Sequence, residues 1–253
     1  MTTLIDTHAH LQFDELSGQV PAVLHRAHEA GVEKIITVGV DTDDSRQAVV
    51  LAATYEQVWA TVGIHPHEAG EAANAADYLR DLAARRKVVA IGECGFDFYR
   101  SRSSHEEQEA VVRTQIELAL ELNLPLIFHV REAFEHFFTV LRDYQPLRGV
   151  VHSFTGGPAE LEQVLAAGLQ VALNGIMTFT RDEAQLEAAR VVPLERLLLE
   201  TDCPYLSPAP HRGKTNEPAR VAEIAAFLAE LRGEPLEMLG TQTSANAEAL
   251  FGI

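Results

Sequence analysis

LIDTHAH, residues 4 to 10, is the stretch from which the fold can be read. Leu4 and Ile5 open a short apolar run of strand type. The run ends in two histidines one residue apart, where a dinucleotide-binding sheet would carry a glycine-rich turn. Extended geometry continued through Ala9 puts the His8 and His10 imidazoles on one face, so both can approach one cation. Hydrogen-bonded histidines at a strand end also produce this pattern, so its meaning depends on what the rest of the chain sets beside it.

Similar segments recur outward from this one: KIITVG at 34–39, VWATVG at 58–63, VVAIGE at 88–93, PLIFH at 125–129, GVVH at 149–152, LQVALN at 169–174 and RLLLET at 196–201. Their length and β-branched content suit buried parallel strands better than exposed hairpins. Helical candidates lie between and after them, at 17–30, 43–56, 75–86, 104–122, 131–143, 158–167, 181–190, 217–231 and 234–240. In 104–122, Val111, Ile116, Leu118, Leu120 and Leu122 are interspersed with Glu and Gln, as in a helix covering a sheet. Eight alternations predict an α/β fold closed into a single (β/α)8 TIM barrel, with an open doubly wound sheet as the alternative. No low-complexity linker or charge boundary divides the chain, so residues 1–253 are expected to form one domain. CPYLSPAPHRGKTNEP, 203–218, reads as a long loop before a C-terminal helix.

Composition agrees. Of 253 residues, 47% are hydrophobic and 23% charged, which argues against a disordered chain and a wholly apolar membrane chain. The opening MTTLIDTHAH lacks a basic segment followed by an apolar run, and no stretch reaches the roughly 18 uncharged apolar residues of a spanning helix. A soluble cytoplasmic protein is expected. Cys94 and Cys203, the only cysteines, rule out a dense disulfide framework. A net charge of −17 repels a phosphate backbone at long range, so the chain is a poor candidate for a high-affinity, non-specific duplex coat protein, while a local metal site could overcome that field.

Metal-capable side chains fall at the C-terminal ends of the predicted strands, the active-site end of such a barrel. His8 and His10 end the first, Glu93 the fourth, His129 the fifth, His152 the sixth and Asp202 the eighth. Period-2 alternation sends Ile127, His129 and Arg131 inward, and likewise Leu198, Glu200 and Asp202, while Leu197, Leu199 and Thr201 face the helices. Six ligands exceed one tetrahedral zinc site but suit two neighbouring divalent cations with open positions, and Glu93 can offer one oxygen to each. Zinc suits the imidazoles, magnesium prefers more oxygen, and manganese lies between.

The chain resembles the TatD family of metal-dependent deoxyribonucleases, a branch of the metal-dependent hydrolase barrels. The resemblance rests on DTHAHL at 6–11, VGIHPH at 62–67, AIGECGFDFY at 90–99, PLIFHVREA at 125–133, VHSFTGG at 151–157, LNGIMTF at 173–179, LLETDCPYLSP at 198–208 and NEP at 216–218. It implies that His8 and His10 bind one ion with Asp202, that Glu93 bridges, and that His129 and His152 hold the second. It also implies hydrolysis of phosphodiesters, with removal of nucleotides from the 3′ ends of single-stranded DNA and sometimes RNA. Cys94 stands where the family has an aliphatic residue and Cys203 where alanine is usual. Both are expected to fill packing space rather than act as nucleophiles.

Hydrolysis of a phosphodiester needs an attacking water and neutralised non-bridging oxygens, which two cations supply. Asp202 is the preferred proton acceptor. His65, inward by alternation from Trp59, is a candidate for contacting a phosphate or protonating the leaving group, and His67 is a weaker candidate as a loop histidine. The forked donors of Arg131 suit phosphate, with a rim salt bridge as the competing reading. Gly156 and Gly157 precede a helix and offer N–H groups to an anion, though a tight turn explains them as well. Tyr205, Arg212 and Lys214 are candidates for holding a strand by stacking or phosphate contact, with a solvated loop, including His211, as the plainer account.

The expected partner is single-stranded DNA or a short oligonucleotide, with RNA as a second substrate. No phosphate-loop or dinucleotide fingerprint indicates a nucleotide cofactor, and monomer is the default. The competing readings are a hydrolase of a carboxylic ester, lactone or amide, including a tRNA-linked ester, and a binding protein that keeps the barrel. The presence of all six ligands weighs against the second.

Overall fold

The computed structural model of the chain describes residues 3–72 and 75–253. Met1 and Thr2, which head the segment inspected for a targeting sequence, lie outside them. Eight parallel strands pair in sequence order: β1 Leu4–Ala9, β2 Val32–Val38, β3 Val58–Val62, β4 Val88–Asp97, β5 Leu126–Arg131, β6 Gly149–Val151, β7 Gln170–Leu173 and β8 Leu197–Leu199. The ring closes at the mouth through a parallel bridge between Ala9 and Cys203. There the N–H of Asp202 donates to the His8 carbonyl at 2.8 Å, and that of His10 to the Cys203 carbonyl at 2.8 Å. The closed barrel, rather than the open sheet, is therefore the architecture.

The helices are α1 Asp14–Ser17, α2 Val20–Glu29, α3 Thr42–Thr54, α4 Ala75–Ala83, α5 His105–Leu122, α6 Phe134–Leu141, α7 Pro158–Ala166, α8 Glu183–Val191, α9 Val221–Arg232 and α10 Leu236–Phe251. Alternation along the strands separates two apolar layers. Ile5, Ile36, Val89, Ile127, Val150, Ala172 and Leu198 fill the barrel, whereas Leu197, Leu199, Cys94 and Phe128 pack outward beneath the helices. Ile127, Leu198, Leu197 and Leu199 thus face as the alternation predicts. Cys94 and Cys203 are both free and fully buried in the outer layer, as packing residues.

Three elements depart from the sequence reading. Strand β4 runs on to Asp97, four residues past its predicted end, because Cys94 and Phe96 supply outward apolar positions and Gly95 admits close approach of β5. Strand β8 stops at Leu199, so Asp202 lies beyond the strand, in a turn fixed by hydrogen bonds to β1. Helix α10 extends to Phe251 instead of ending at 240, its Gly240 notwithstanding. Ala247, Leu250 and Phe251 join the interior layer with Trp59 and Ile253, so α10 plugs the N-terminal end of the barrel. Asn246 Nδ2 fastens it to the Leu194 and Leu197 carbonyls at 2.8 and 2.9 Å, and Ser244 Oγ to the Thr3 carbonyl at 2.9 Å.

Candidate active site and metal centre

The strand irregularities aim the ligands. Ile5 points into the barrel, but the register of β1 against β2 shifts between Asp6 and Ala9, so His8 and His10 turn into the mouth while Ala9 packs outward. Strand β4 shifts likewise between Ile91 and Cys94. Gly92 there has φ +141°, a conformation unfavourable for L side chains, and a Cβ on it would meet the Ile127 carbonyl oxygen at 2.6 Å. Glu93 follows, its N–H donating to the Gly39 carbonyl at 3.0 Å, so its carboxylate is held over the barrel axis.

The two oxygens of Glu93 face different nitrogen sets. Oε2 lies 3.3 Å from His8 Nε2 and 4.0 Å from His10 Nε2, and those two nitrogens are 3.8 and 3.5 Å from Asp202 Oδ1. Oε1 lies 2.8 Å from both His129 Nδ1 and His152 Nε2, and 3.5 Å from His65 Nε2. The predicted ligands His8, His10, Glu93, His129, His152 and Asp202 are therefore gathered in one pocket, and candidate metal-binding groups can be drawn among them, one of which also includes His65.

A cation fits this arrangement. His8 Nε2 and His10 Nε2 approach to 3.3 Å, and His129 Nδ1 and His152 Nε2 to 3.2 Å. Imidazole nitrogens so close cannot both present lone pairs to each other, so a proton or a metal ion is needed between them. The same demand appears in the acid–base balance. Burial opposes the charge on Glu93, yet His152, His65 and His8 hold its carboxyl well below the usual range. Burial also opposes charge on His152, and Glu93 and Glu200 outweigh it and push that imidazole well up. His10 Nδ1 hydrogen-bonds the Val38 carbonyl at 2.9 Å, an acceptor only, which fixes the tautomer and leaves the Nε2 lone pair for a ligand.

Three acidic residues outside the predicted ligand set organise it. Asp6 accepts from Thr201 N at 2.9 Å, Thr201 Oγ1 at 2.6 Å and His8 N at 3.3 Å, tying β1 to the turn that carries Asp202. Asp97 lies 2.8 Å from His67 Nε2 and 3.5 Å from His129 Nε2. Glu200 accepts from Ser153 N at 2.6 Å and Asn174 Nδ2 at 3.1 Å, 3.5 Å from His152 Nδ1. Sequence alternation turned Glu200 inward. Asp97 would have followed from Glu93 by the same rule had β4 been read to its full length.

The remaining candidates separate. His65 lies in the pocket. Burial drives its imidazole well below the usual value, and its Nδ1 accepts the His67 N–H at 3.0 Å, so the neutral ring carries its proton on Nε2, toward Glu93. That nitrogen lies 3.5 Å from Glu93 Oε1. His67 is turned to Asp97. Arg131 is at the rim, its guanidinium 4.1 Å from the Tyr99 ring centroid, a stacking contact rather than the competing rim salt bridge. Gly157 N–H donates to Glu160 Oε2 at 2.9 Å, capping α7, so it is not the free anion donor considered from sequence. In the last loop, Tyr205 and Lys214 are exposed, Arg212 lies over Phe179 at 3.7 Å, and His211 pairs with Glu223 at 3.1 Å.

A parallel (β/α)8 barrel whose C-terminal mouth holds imidazoles and carboxylates around one shared glutamate defines a metal-dependent hydrolase. Comparison with known proteins narrows the class. The chain belongs to the family of TatD related DNases, whose profile matches residues 5–252. It is 41% identical to the 3′-5′ ssDNA/RNA exonuclease TatD of Pantoea ananatis, over 99% of this chain and 100% of that one. It is 36% identical to the uncharacterized metal-dependent hydrolase YabD of Bacillus subtilis, over 99% of each. Among solved structures, the TatD homologue YjjV of Escherichia coli superposes with a TM-score of 0.93 at 32% identity, covering 99% of this chain and 98% of that chain.

Proposed function

We propose that the chain, acting as one catalytic unit, removes nucleotides from the 3′ end of single-stranded DNA and RNA at a two-cation centre. In this reading His8, His10, Asp202 and Glu93 would hold one ion, and Glu93, His129 and His152 the other. The observation that carries the proposal is the division of the Glu93 carboxylate between two nitrogen sets. Activity of the TatD exonuclease at 41% identity supports the substrate class. Four imidazoles against two carboxylates favour zinc or manganese over magnesium.

When bound, the cations activate water and neutralise the non-bridging phosphate oxygens. The chain's own groups do the rest. Asp202 has 15% of its side chain exposed against 4% for Glu93, so it is the carboxylate water reaches and the one suited to accept its proton. His65 donates its Nε2–H to a phosphate oxygen, and His67, fixed by Asp97, lines the same wall. Arg131 meets the next phosphate at the rim, with Lys214 on the far loop.

Products from 5′-labelled and 3′-labelled DNA and RNA strands test this, using metal-stripped protein resupplied separately with zinc, manganese or magnesium. Metal-dependent stepwise shortening from the 3′ end is the expected result. No product with any ion, at confirmed metal occupancy, would redirect the assignment to ester or amide hydrolysis.

A further inference from the structure

Two ligand segments at the mouth each end in a tight turn that carries an aromatic ring. Phe13 is three residues past His10, and its N–H donates to the His10 carbonyl at 3.2 Å. Tyr205 is three residues past Asp202, and its N–H donates to the Asp202 carbonyl at 3.0 Å. The Phe13 ring lies on the His10 imidazole with centroids 4.5 Å apart and planes at 11°. Tyr205 meets Phe13 at 6.1 Å and 63°. The rings thus lead from a ligating imidazole outward to solvent, ending in Tyr205 at 52% exposure.

Both positions are fastened from behind. Phe13 precedes α1, and its carbonyl accepts from Leu16 N at 2.9 Å and Ser17 N at 2.8 Å. Asn216, fully buried, donates to the Tyr205 carbonyl at 2.6 Å and the Thr201 carbonyl at 3.0 Å. The backbone that carries Tyr205 is thus held by the same asparagine as the residue preceding Asp202.

We infer that Phe13 and Tyr205 form the seat of one unpaired nucleobase, which sets the register of the strand against His10 and Asp202. The inference rests on the nucleic-acid reading above and adds to it the residues that select a single strand. Their 63° angle makes a corner in which a base can stack on one ring and meet the other with its edge. A base held there has left its complementary strand, so paired ends are discriminated against without sequence being read, because every base has a π-face. The contact is the same before and during bond cleavage, so its loss raises KM and leaves kcat nearly unchanged.

The test compares metal-loaded wild type, Tyr205→Ala, Tyr205→Phe and Phe13→Leu on strands with the natural base or an abasic residue at the terminal or penultimate position. Loss of a stacked base worth about 1–3 kcal/mol corresponds to roughly 5- to 150-fold in kcat/KM. Wild type should show that loss at one of the two abasic positions. Tyr205→Ala should show it on the natural strand and no further loss on the abasic one, with Tyr205→Phe restoring the wild-type pattern. Equal slowing of Tyr205→Ala on both strands, or indifference of wild type to both abasic positions, would overturn the assignment. Binding of a hydrolysis-resistant phosphorothioate strand with 2-aminopurine at those positions gives an answer independent of turnover. Stacking quenches its fluorescence in wild type and less in Tyr205→Ala, and binding without quenching also overturns the assignment. A wild type that cleaves no strand but quenches 2-aminopurine would remove the exonuclease reading and keep the base seat.

Discussion

At the residue scale, the centre depends on carboxylates with distinct duties. In the proposed mechanism Asp202 takes a proton, so Asp202→Asn should reduce hydrolysis by about 10²–10⁴-fold, the usual span for a lost general base, with unfolding by denaturant little changed. Part of that loss would reflect weaker metal binding, which titration of bound ion resolves. Asp6 is fully buried, and its side chain joins His8 N to Thr201 through hydrogen bonds. Asp6→Ala should therefore weaken the ion at His8, His10 and Asp202 by about 10–100-fold while the Glu93–His129–His152 side retains its own, giving one tight equivalent instead of two in a metal titration. Two tight equivalents would show that the β1–Thr201 tie is not needed. The residues gathered at the mouth were legible in the sequence because each lies at or just past the C-terminal end of an apolar run. Asp6 and Phe13 were not, since one sits inside a strand and the other in a turn, and their value comes from three-dimensional neighbours 195 residues apart in the first case and from ring stacking in the second.

At the scale of elements, periodicity located every strand and most helices but misjudged those whose burial has a different source. Helix α10 was cut short because its apolar residues do not form the single stripe of a helix lying on a sheet. Ala247, Leu250 and Phe251 face the barrel floor, while Asn246 and Ser244 spend their side chains on backbone carbonyls at the strand starts. The plug is expected to carry stability rather than chemistry. Phe251→Ala, at a residue 5% exposed, should cost about 3–5 kcal/mol in denaturant unfolding and leave the KM of the folded protein for an oligonucleotide unchanged, because the floor is at the opposite end from the ligands. A raised KM at full folding would show that floor and mouth are coupled. The overextended β4 teaches the converse. The strand was ended at Glu93, although it runs on through Gly95, which like Gly92 serves close approach to β5.

At the scale of the whole molecule, charge limits how a strand is held. The four positive charges of two divalent cations raise −17 only to −13, so a long nucleic acid meets net repulsion and binding must come from the mouth. Side-chain cations there include Arg131 on Tyr99, at the end of β5, and Arg212 on Phe179 and the exposed Lys214, both on the last loop. A strand seated at the mouth would neutralise about two or three phosphates through such residues. With a single-strand slope of about −0.7 per phosphate, the logarithm of the binding constant should fall against the logarithm of salt with a slope of roughly −1.5 to −2. Anisotropy of a labelled phosphorothioate strand over a salt series measures this, and Arg131→Ala should flatten the slope by somewhat under one unit. A slope steeper than about −4 would require a basic track extending well beyond the mouth, and the protein would then hold its substrate as a clamp along the strand instead of at its end.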